Sequence, residues 1–178
     1  MKENKNKIYI DNYMNLQIRE ADITDFETIK SLEKEIFDMG YTDEFIEMLL
    51  LDGYSYLAFI NNEPVGYILS NYDDYMFDET GMSDYMDEHY DRLLFTIISF
   101  GIKKLYRNQK IGTKLLDMFL KNIKIKNIAK IALQVRITNT QAIKLYQKFG
   151  FTIETVLKNY YTDPIEDAYL MIKNVKIE

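Results

Sequence analysis

Arg107 and Lys110 stand in a turn, Tyr106-Arg107-Asn108-Gln109-Lys110-Ile111-Gly112-Thr113, that joins two different apolar patterns. Before it, Phe95-Thr96-Ile97-Ile98-Ser99-Phe100 is β-prone. After it, Ile111, Leu115, Leu116, Phe119 and Leu120 recur at helical spacing. Strand, basic turn and helix therefore follow one another. A turn entering a helix offers unpaired backbone N–H groups and the positive end of the helix dipole. That arrangement suits a phosphate group, and the two cations add charge beside it. The same residues also read as an ordinary strand-to-helix connection with solvated cations, and the spacing alone does not separate the two readings.

A second group of candidate residues is acidic. Residues 71–91 hold eight carboxylates and no lysine or arginine, with tyrosines, methionines and a phenylalanine between them. The stretch reads as a solvated surface insertion or as a wall that attracts an amine or a basic peptide. Its carboxylates lack the spacing and central glycine of a calcium loop, so no metal is expected. The single histidine, His89, lies within it and reads as a surface residue rather than a base.

Around these residues the chain reads as alternating elements. Residues 16–21 alternate as a strand, and a helix follows with Phe26, Ile29, Leu32 and Ile36 on its buried stripe. Asp22 or Thr24 caps it, with Glu27 completing a capping box on Thr24. Thr42 or Asp43 starts a second helix, which Asp52-Gly53 closes. Residues 54–60 and 65–70 form a hairpin about a turn at 61–64. A strand over 92–101 leads to the basic turn, and the helix after it runs from about 110 to 125. Residues 128–135 form a strand. Thr138-Asn139 caps a last helix that ends at Gly150. Residues 151–157 form a strand, 158–164 an aromatic loop, and 166–172 a final strand. The order implies an α/β fold with a mixed sheet of about seven strands and about four helices. A ligand then belongs at the carboxyl ends of the strands that precede the basic turn and the last helix.

With 178 residues, 47% of them apolar, and only 2 prolines and 7 glycines, one domain over residues 15–178 is expected. Residues 1–14 open on Met1-Lys2-Glu3-Asn4-Lys5 and are expected to form a disordered lead without the apolar centre of a signal peptide. No run of about 18 apolar residues suggests a membrane span. The absence of cysteine excludes disulfides, thiolate metal sites and a cysteine nucleophile, and points to the cytoplasm. The net charge of −6 argues against nucleic acid as a partner.

Two motifs carry a family resemblance. Arg107 to Gly112 resembles the pyrophosphate loop, R/Q-x-x-G-x-G/A, of the GNAT superfamily of acetyl-CoA-dependent N-acetyltransferases. Asn139-x-x-Ala142-Ile143-x-x-Tyr146-x-x-Phe149-Gly150-Phe151 resembles that family's second signature. With the element order, the likeness covers about residues 15–173 and implies the GNAT fold. Within the family the likeness is to N-terminal protein acetyltransferases of NatE type. It rests on Phe37-Asp38-Met39-Gly40-Tyr41, on Ile137-Thr138-Asn139 with Lys148-Phe149-Gly150-Phe151, and on Asn159-Tyr160-Tyr161.

The resemblance implies transfer of an acetyl group from acetyl-CoA to a primary amine, by direct attack in a ternary complex. The amine it implies is that of a Met-starting or apolar protein N-terminus. The pyrophosphate would rest on Arg107, Asn108, Gln109, Lys110, Ile111, Gly112 and Thr113. The pantetheine arm would lie along Phe100, Gly101 and Ile102, with Asn139, Ala142 and Lys148 nearby. Tyr146 would protonate the leaving thiolate, and Phe37, Tyr41, Tyr160 and Tyr161 would clasp the acceptor. An α-amine titrates near about 7.7–8.0, so a weak base acting through water suffices, whereas a lysine near about 10.4 needs more. This chain departs from the pattern at five positions, two of them Asp38 and Met39, which stand where the segment before Tyr41 has a proline and a valine. Lys110 replaces a glycine, and Thr96 and Gln134 replace the tyrosine and histidine that hold the deprotonating water. These departures leave one alternative, a weakly active or inactive subunit of an N-terminal acetyltransferase complex, and the acidic stretch leaves another, a small polyamine acetyltransferase. An auxiliary subunit or the ribosome is the expected macromolecular partner.

Overall fold

The structure, a computed structural model, describes residues 8–12, 14–37, 40–52, 54–72, 94–123 and 130–175. The acidic stretch from 73 onward, His89, Asp38 and Met39 lie outside the described residues. The described chain falls into two compact units. One is drawn from Met1–Asn71 and Ser99–Lys124, the other from Tyr72–Ile98 and Ile125–Glu178.

The first unit carries strands β1 (Tyr9–Asp11), β2 (Leu16–Ala21), β3 (Ser55–Ile60), β4 (Glu63–Tyr72) and the end of β5 (Leu94–Ile102), in that order. It also carries helices α1 (Phe26–Phe37), α2 (Asp43–Asp52) and α3 (Ile111–Asn122). Leu16 and Ile18 alternate inward from β2, and Leu57, Ala58, Val65 and Ile68 close the core beside them. Asn61 and Asn62 both adopt positive φ, 50° and 65°, which is the backbone of the two-residue turn that Asn favours between antiparallel strands. Gly66 is required by space. A Cβ there would stand 2.3 Å from Ile102 Cδ1 and 2.8 Å from the Gly101 carbonyl oxygen. The chain enters α1 through a single 3-10 turn, Ile23–Asp25, capped by Asp22 with Asp25 closing the capping box. That corrects the reading in which Thr24 and Glu27 formed it. Arg19 holds Asp25 with two hydrogen bonds of 2.7 and 2.6 Å, so the cap is anchored to β2.

The second unit carries the start of β5, then β6 (Lys130–Arg136), β8 (Ile165–Asn174) and β7 (Thr152–Thr162) in spatial order, with α4 (Thr140–Lys148). β5 and β6 are parallel over Leu94–Ile97 and Lys130–Leu133, while β6, β8 and β7 are antiparallel neighbours. Gly150, at φ +86°, ends α4. Its N–H reaches the Gln147 carbonyl at 3.0 Å and the Phe151 N–H reaches Tyr146 at 3.1 Å, the two bonds of a Schellman motif.

Among the described residues the mixed sheet and the four α-helices agree with the sequence reading. Among those residues eight strands replace the expected seven or so. The extra one is β1, which pairs with β2 at Tyr9↔Ile18 to Asp11↔Leu16, inside the stretch read as a disordered lead. A second correction concerns 158–164. This is not a loop: β7 continues to Thr162, and Asp163-Pro164, joined by a cis peptide bond, turns directly into β8. Asn159, at φ 52°, lies within the register irregularity between Leu157 and Tyr161. Asn and Pro signalled an interruption, but pairing to β8 carries the strand through.

Candidate active site

In the first unit the basic turn is built on the end of β5. Lys103 donates its N–H to the Val65 carbonyl at 2.9 Å, which ties the strand's exit to β4. Its ammonium lies between Glu35, at 3.0 Å, and Glu63, at 3.2 Å. Tyr106 donates to the other Glu63 oxygen at 2.7 Å. Arg107 donates through Nε to the Ile102 carbonyl at 2.9 Å, so the guanidinium is seated beside the strand end. Gln109 bonds the Leu105 carbonyl at 3.1 Å.

Asn108 and Lys110 both take the left-handed conformation, each at φ 62°. Lys110 is the N-cap of α3 and makes no side-chain cap bond, while its carbonyl accepts from Lys114 at 3.0 Å. The N–H groups of Ile111, Gly112 and Thr113 therefore have no acceptor within the helix, and they stand at its positive end. The turn can hold an anion there. The structure also gives a physical meaning to a glycine at position 110. Its role is conformational freedom at positive φ, which Lys110 adopts with a side chain.

Phe37 ends α1 and is 48% exposed. A Cβ on Gly101 would stand 3.1 Å from Ile36 and from Phe37 Cε2, so the glycine lets the end of α1 lie directly on β5. Tyr41 is 39% exposed and its ring lies 5.0 Å from Phe45. Close by is a group that the sequence reading passed over. Glu33 occupies one position of the stripe Ile29, Leu32, Glu33, Ile36 and is 2% exposed. Its Oε1 accepts from Tyr67 and from Ser99, each at 2.6 Å, and those hydroxyls lie 3.0 Å apart. Burial pushes the Glu33 carboxyl above the ordinary carboxylate range, against the two hydrogen bonds, and pushes the Tyr67 phenol far up. A polar residue at a stripe position was the available signal.

In the second unit Tyr146 points from α4 into the core, 7% exposed, with its ring 5.8 Å from Phe151. Burial, with Tyr161 nearby, raises its phenol, so the group keeps its proton across the neutral range. Tyr161 lies under the Arg136 guanidinium at 4.0 Å and reaches toward the Gln134 carbonyl at 3.5 Å. Burial pushes its phenol up to about 12. Tyr160 packs edge-on against it at 5.1 Å.

Arg136 is a second residue missed from sequence. It donates to the Asp163 carbonyl at 2.8 Å, to the Pro164 carbonyl at 3.2 Å and to Glu166 at 3.0 Å. Glu166 in turn accepts from the Thr138 N–H at 3.0 Å and its hydroxyl at 2.6 Å. The β7–β8 turn is thereby fastened to the end of β6. Nothing local announces this, because the partners are about thirty residues apart in sequence.

The remaining expected residues have defined places. Thr96 is wholly buried, opposite Ala132 in the β5–β6 register. Gln134 is half-buried on β6. Asn139 caps α4 by accepting from the Ala142 N–H at 3.2 Å, which commits its oxygen to the helix. Lys148 is exposed in the last turn of α4. The first unit thus brings together the basic turn, Phe100 to Ile102 and Phe37. The second brings together Tyr146, Tyr160, Tyr161 and Gln134. Among the described residues no cluster of His, Asp or Glu could hold a metal ion, and no helix is long and apolar enough to cross a membrane.

The acetyltransferase (GNAT) family profile matches residues 16–151, which include the basic turn and the whole of α4. The chain belongs to the GNAT family. This GNAT chain is 35% identical over 163 residues to the N-alpha-acetyltransferase of Sulfolobus acidocaldarius, covering 89% of this chain and 92% of that one. It is 33% identical over 167 residues to N-alpha-acetyltransferase 50 of Danio rerio, with 90% of each chain covered. Among solved structures it resembles Arabidopsis thaliana Naa50 bound to the bisubstrate analogue CoA-Ac-MVNAL. The TM-score is 0.73 at 26% identity, over 90% of this chain and 99% of that one.

Proposed function

We propose that this GNAT domain, residues 15–178, transfers the acetyl group of acetyl-CoA to the N-terminal α-amine of proteins or peptides that begin with Met or another apolar residue. The observation that carries the donor half is the uncapped first turn of α3, entered through two left-handed residues and flanked by Arg107 and Lys110. Its unpaired N–H groups match a pyrophosphate. The acceptor half rests on relatives named for α-amine acetylation across nine-tenths of the chain, and on a related structure that holds a Met-starting analogue.

In this reading Phe100, Gly101 and Ile102 offer their strand edge to the donor's amide arm, as an added strand would pair. By the family resemblance, Asn139, Ala142 and Lys148 in the second unit are further candidates for the donor, and Phe37 and Tyr41 in the first unit and Tyr160 and Tyr161 in the second are candidates for the acceptor. The amine attacks the thioester carbonyl directly, the C–S bond breaks, and Tyr146 gives its proton to the thiolate. Burial keeps the Tyr146 phenol protonated across the neutral range, so its O–H is present to hydrogen-bond the sulfur as the thiolate leaves.

One observation favours a second reading. Thr96 is wholly buried and Gln134 does not titrate, so neither residue is a base for the amine. A chain that keeps the fold and a partner surface, without turnover, would look like this. Calorimetry with acetyl-CoA, followed by acetylation of a Met-starting peptide and of spermine, separates the readings. Donor binding with peptide turnover supports the proposal. Donor binding without turnover on either amine moves it to the non-catalytic subunit, and spermine preference moves it to a polyamine enzyme.

A further inference from the structure

We propose that Glu33 is the proton acceptor for the attacking amine and that it acts through Ser99; the assignment rests on the acetyl-transfer reading above. Glu33 sits where the α1 stripe calls for an apolar side chain. Burying a carboxylate there is costly unless its charge is compensated. Among the described residues no cation is paired with it. Its partners are two neutral hydroxyls, Tyr67 from β4 and Ser99 from β5, each at 2.6 Å.

The location gives the carboxylate a task. Glu33 lies one helical turn before Phe37, and Ser99 lies two residues before Gly101 on β5. Phe37 rests on Gly101, and Glu33 bonds Ser99. These are consecutive rungs of one α1–β5 interface. The carboxylate is therefore one rung from the residues assigned to the acceptor and to the donor's arm. Ser99 is the less enclosed of its two partners, at 9% exposure against 0% for Tyr67.

The step balances without any added reagent. One ammonium N–H breaks and its proton goes to Ser99 Oγ, directly or through water, while the Ser99 hydroxyl proton passes to Glu33 Oε1. The freed nitrogen lone pair forms the new bond to the acetyl carbon as the C–S bond breaks, the nitrogen's second surplus proton leaves to water, and the thiolate takes the Tyr146 proton, which water restores. Tyr67 keeps its own proton and holds the carboxylate in place. This supplies the base that Thr96 and Gln134 do not.

The test is the pH profile of kcat/KM for Glu33→Gln and Ser99→Ala, on the full chain with a Met-starting peptide. It is accompanied by acetyl-CoA affinity and melting temperature. Expected is a loss of about 10²–10³-fold near neutral pH in each variant. The loss should shrink as pH rises and the amine deprotonates by itself, with acetyl-CoA affinity within about twofold of the parent. Glu33→Asp should recover part of the rate. An active parent whose Glu33→Gln profile is parallel to its own, changed only in height or in melting temperature, overturns the assignment and leaves acetyl transfer standing. The same holds if Ser99→Ala keeps the parental profile. A parent that binds acetyl-CoA and acetylates no amine overturns both.

Discussion

Replacing Lys110 separates conformation from charge in the donor site. Lys110 holds φ 62° and ψ 9° at the N-cap of α3, and its side chain is exposed. A side chain in the left-handed region costs about 1–2 kcal/mol that glycine does not incur. Glycine also gains freedom in the unfolded chain, which takes back about 0.4–1 kcal/mol. The net for Lys110→Gly is a stabilisation of roughly 0.5–1 kcal/mol, or about 1–4 °C in melting temperature for a chain of this size. Losing the ammonium next to a phosphate is worth at most about 1 kcal/mol at an exposed site, which is roughly fivefold in acetyl-CoA affinity. Lys110→Ala keeps the conformational cost and also loses the charge. It should melt near the parent and bind acetyl-CoA as Lys110→Gly does. Circular dichroism melts and calorimetry on the three proteins read the two effects independently. If Lys110→Gly melts no higher than Lys110→Ala, the left-handed residue is not strained and the reasoning fails. If both variants bind acetyl-CoA as tightly as the parent, the ammonium plays no part.

Tyr146→Phe should lower kcat by about 10²-fold or more while leaving acetyl-CoA affinity nearly unchanged; unaltered turnover would remove its role as acid. Gly66→Ala should cost about 2–3 kcal/mol, because its methyl group meets Ile102 and the Gly101 carbonyl, and a denaturant midpoint equal to the parent's would contradict the packing. Glu166 is held below its ordinary range by the Thr138 hydroxyl and N–H and by Arg136. Its contribution is thus present above the unfolded value and lost as pH falls through the lower folded one. The parent's acid loss of stability should therefore be steeper than that of Glu166→Gln, and coincident acid limbs would argue against it. Glu33 has the opposite sign: burial raises its folded value, so ionising it lowers stability as pH rises from the unfolded value to the folded one. Glu33→Gln should flatten that fall, as urea titrations across pH would show.

Much of the site was legible because its signals are local. Two asparagines specify the β3–β4 turn, Asn139 and Gly150 bracket α4, and the apolar periods on either side of the basic turn mark β5 and α3. Each depends on backbone geometry within a few residues, and so can be read along the chain. The family motifs belong to the same class, since both lie within single stretches. What only the tertiary structure decided is non-local. Tyr160 and Tyr161 sit in a strand because β8 offers partners, against the turn residues on either side. Tyr9 to Asp11 become β1 because the edge of β2 lies open to them. Arg136 holds Tyr161 and the β7–β8 turn through contacts that no spacing rule encodes. Glu33 looked like one more charge on an amphipathic helix. Its burial against Tyr67 and Ser99, which makes it a candidate base, exists only once α1, β4 and β5 have met.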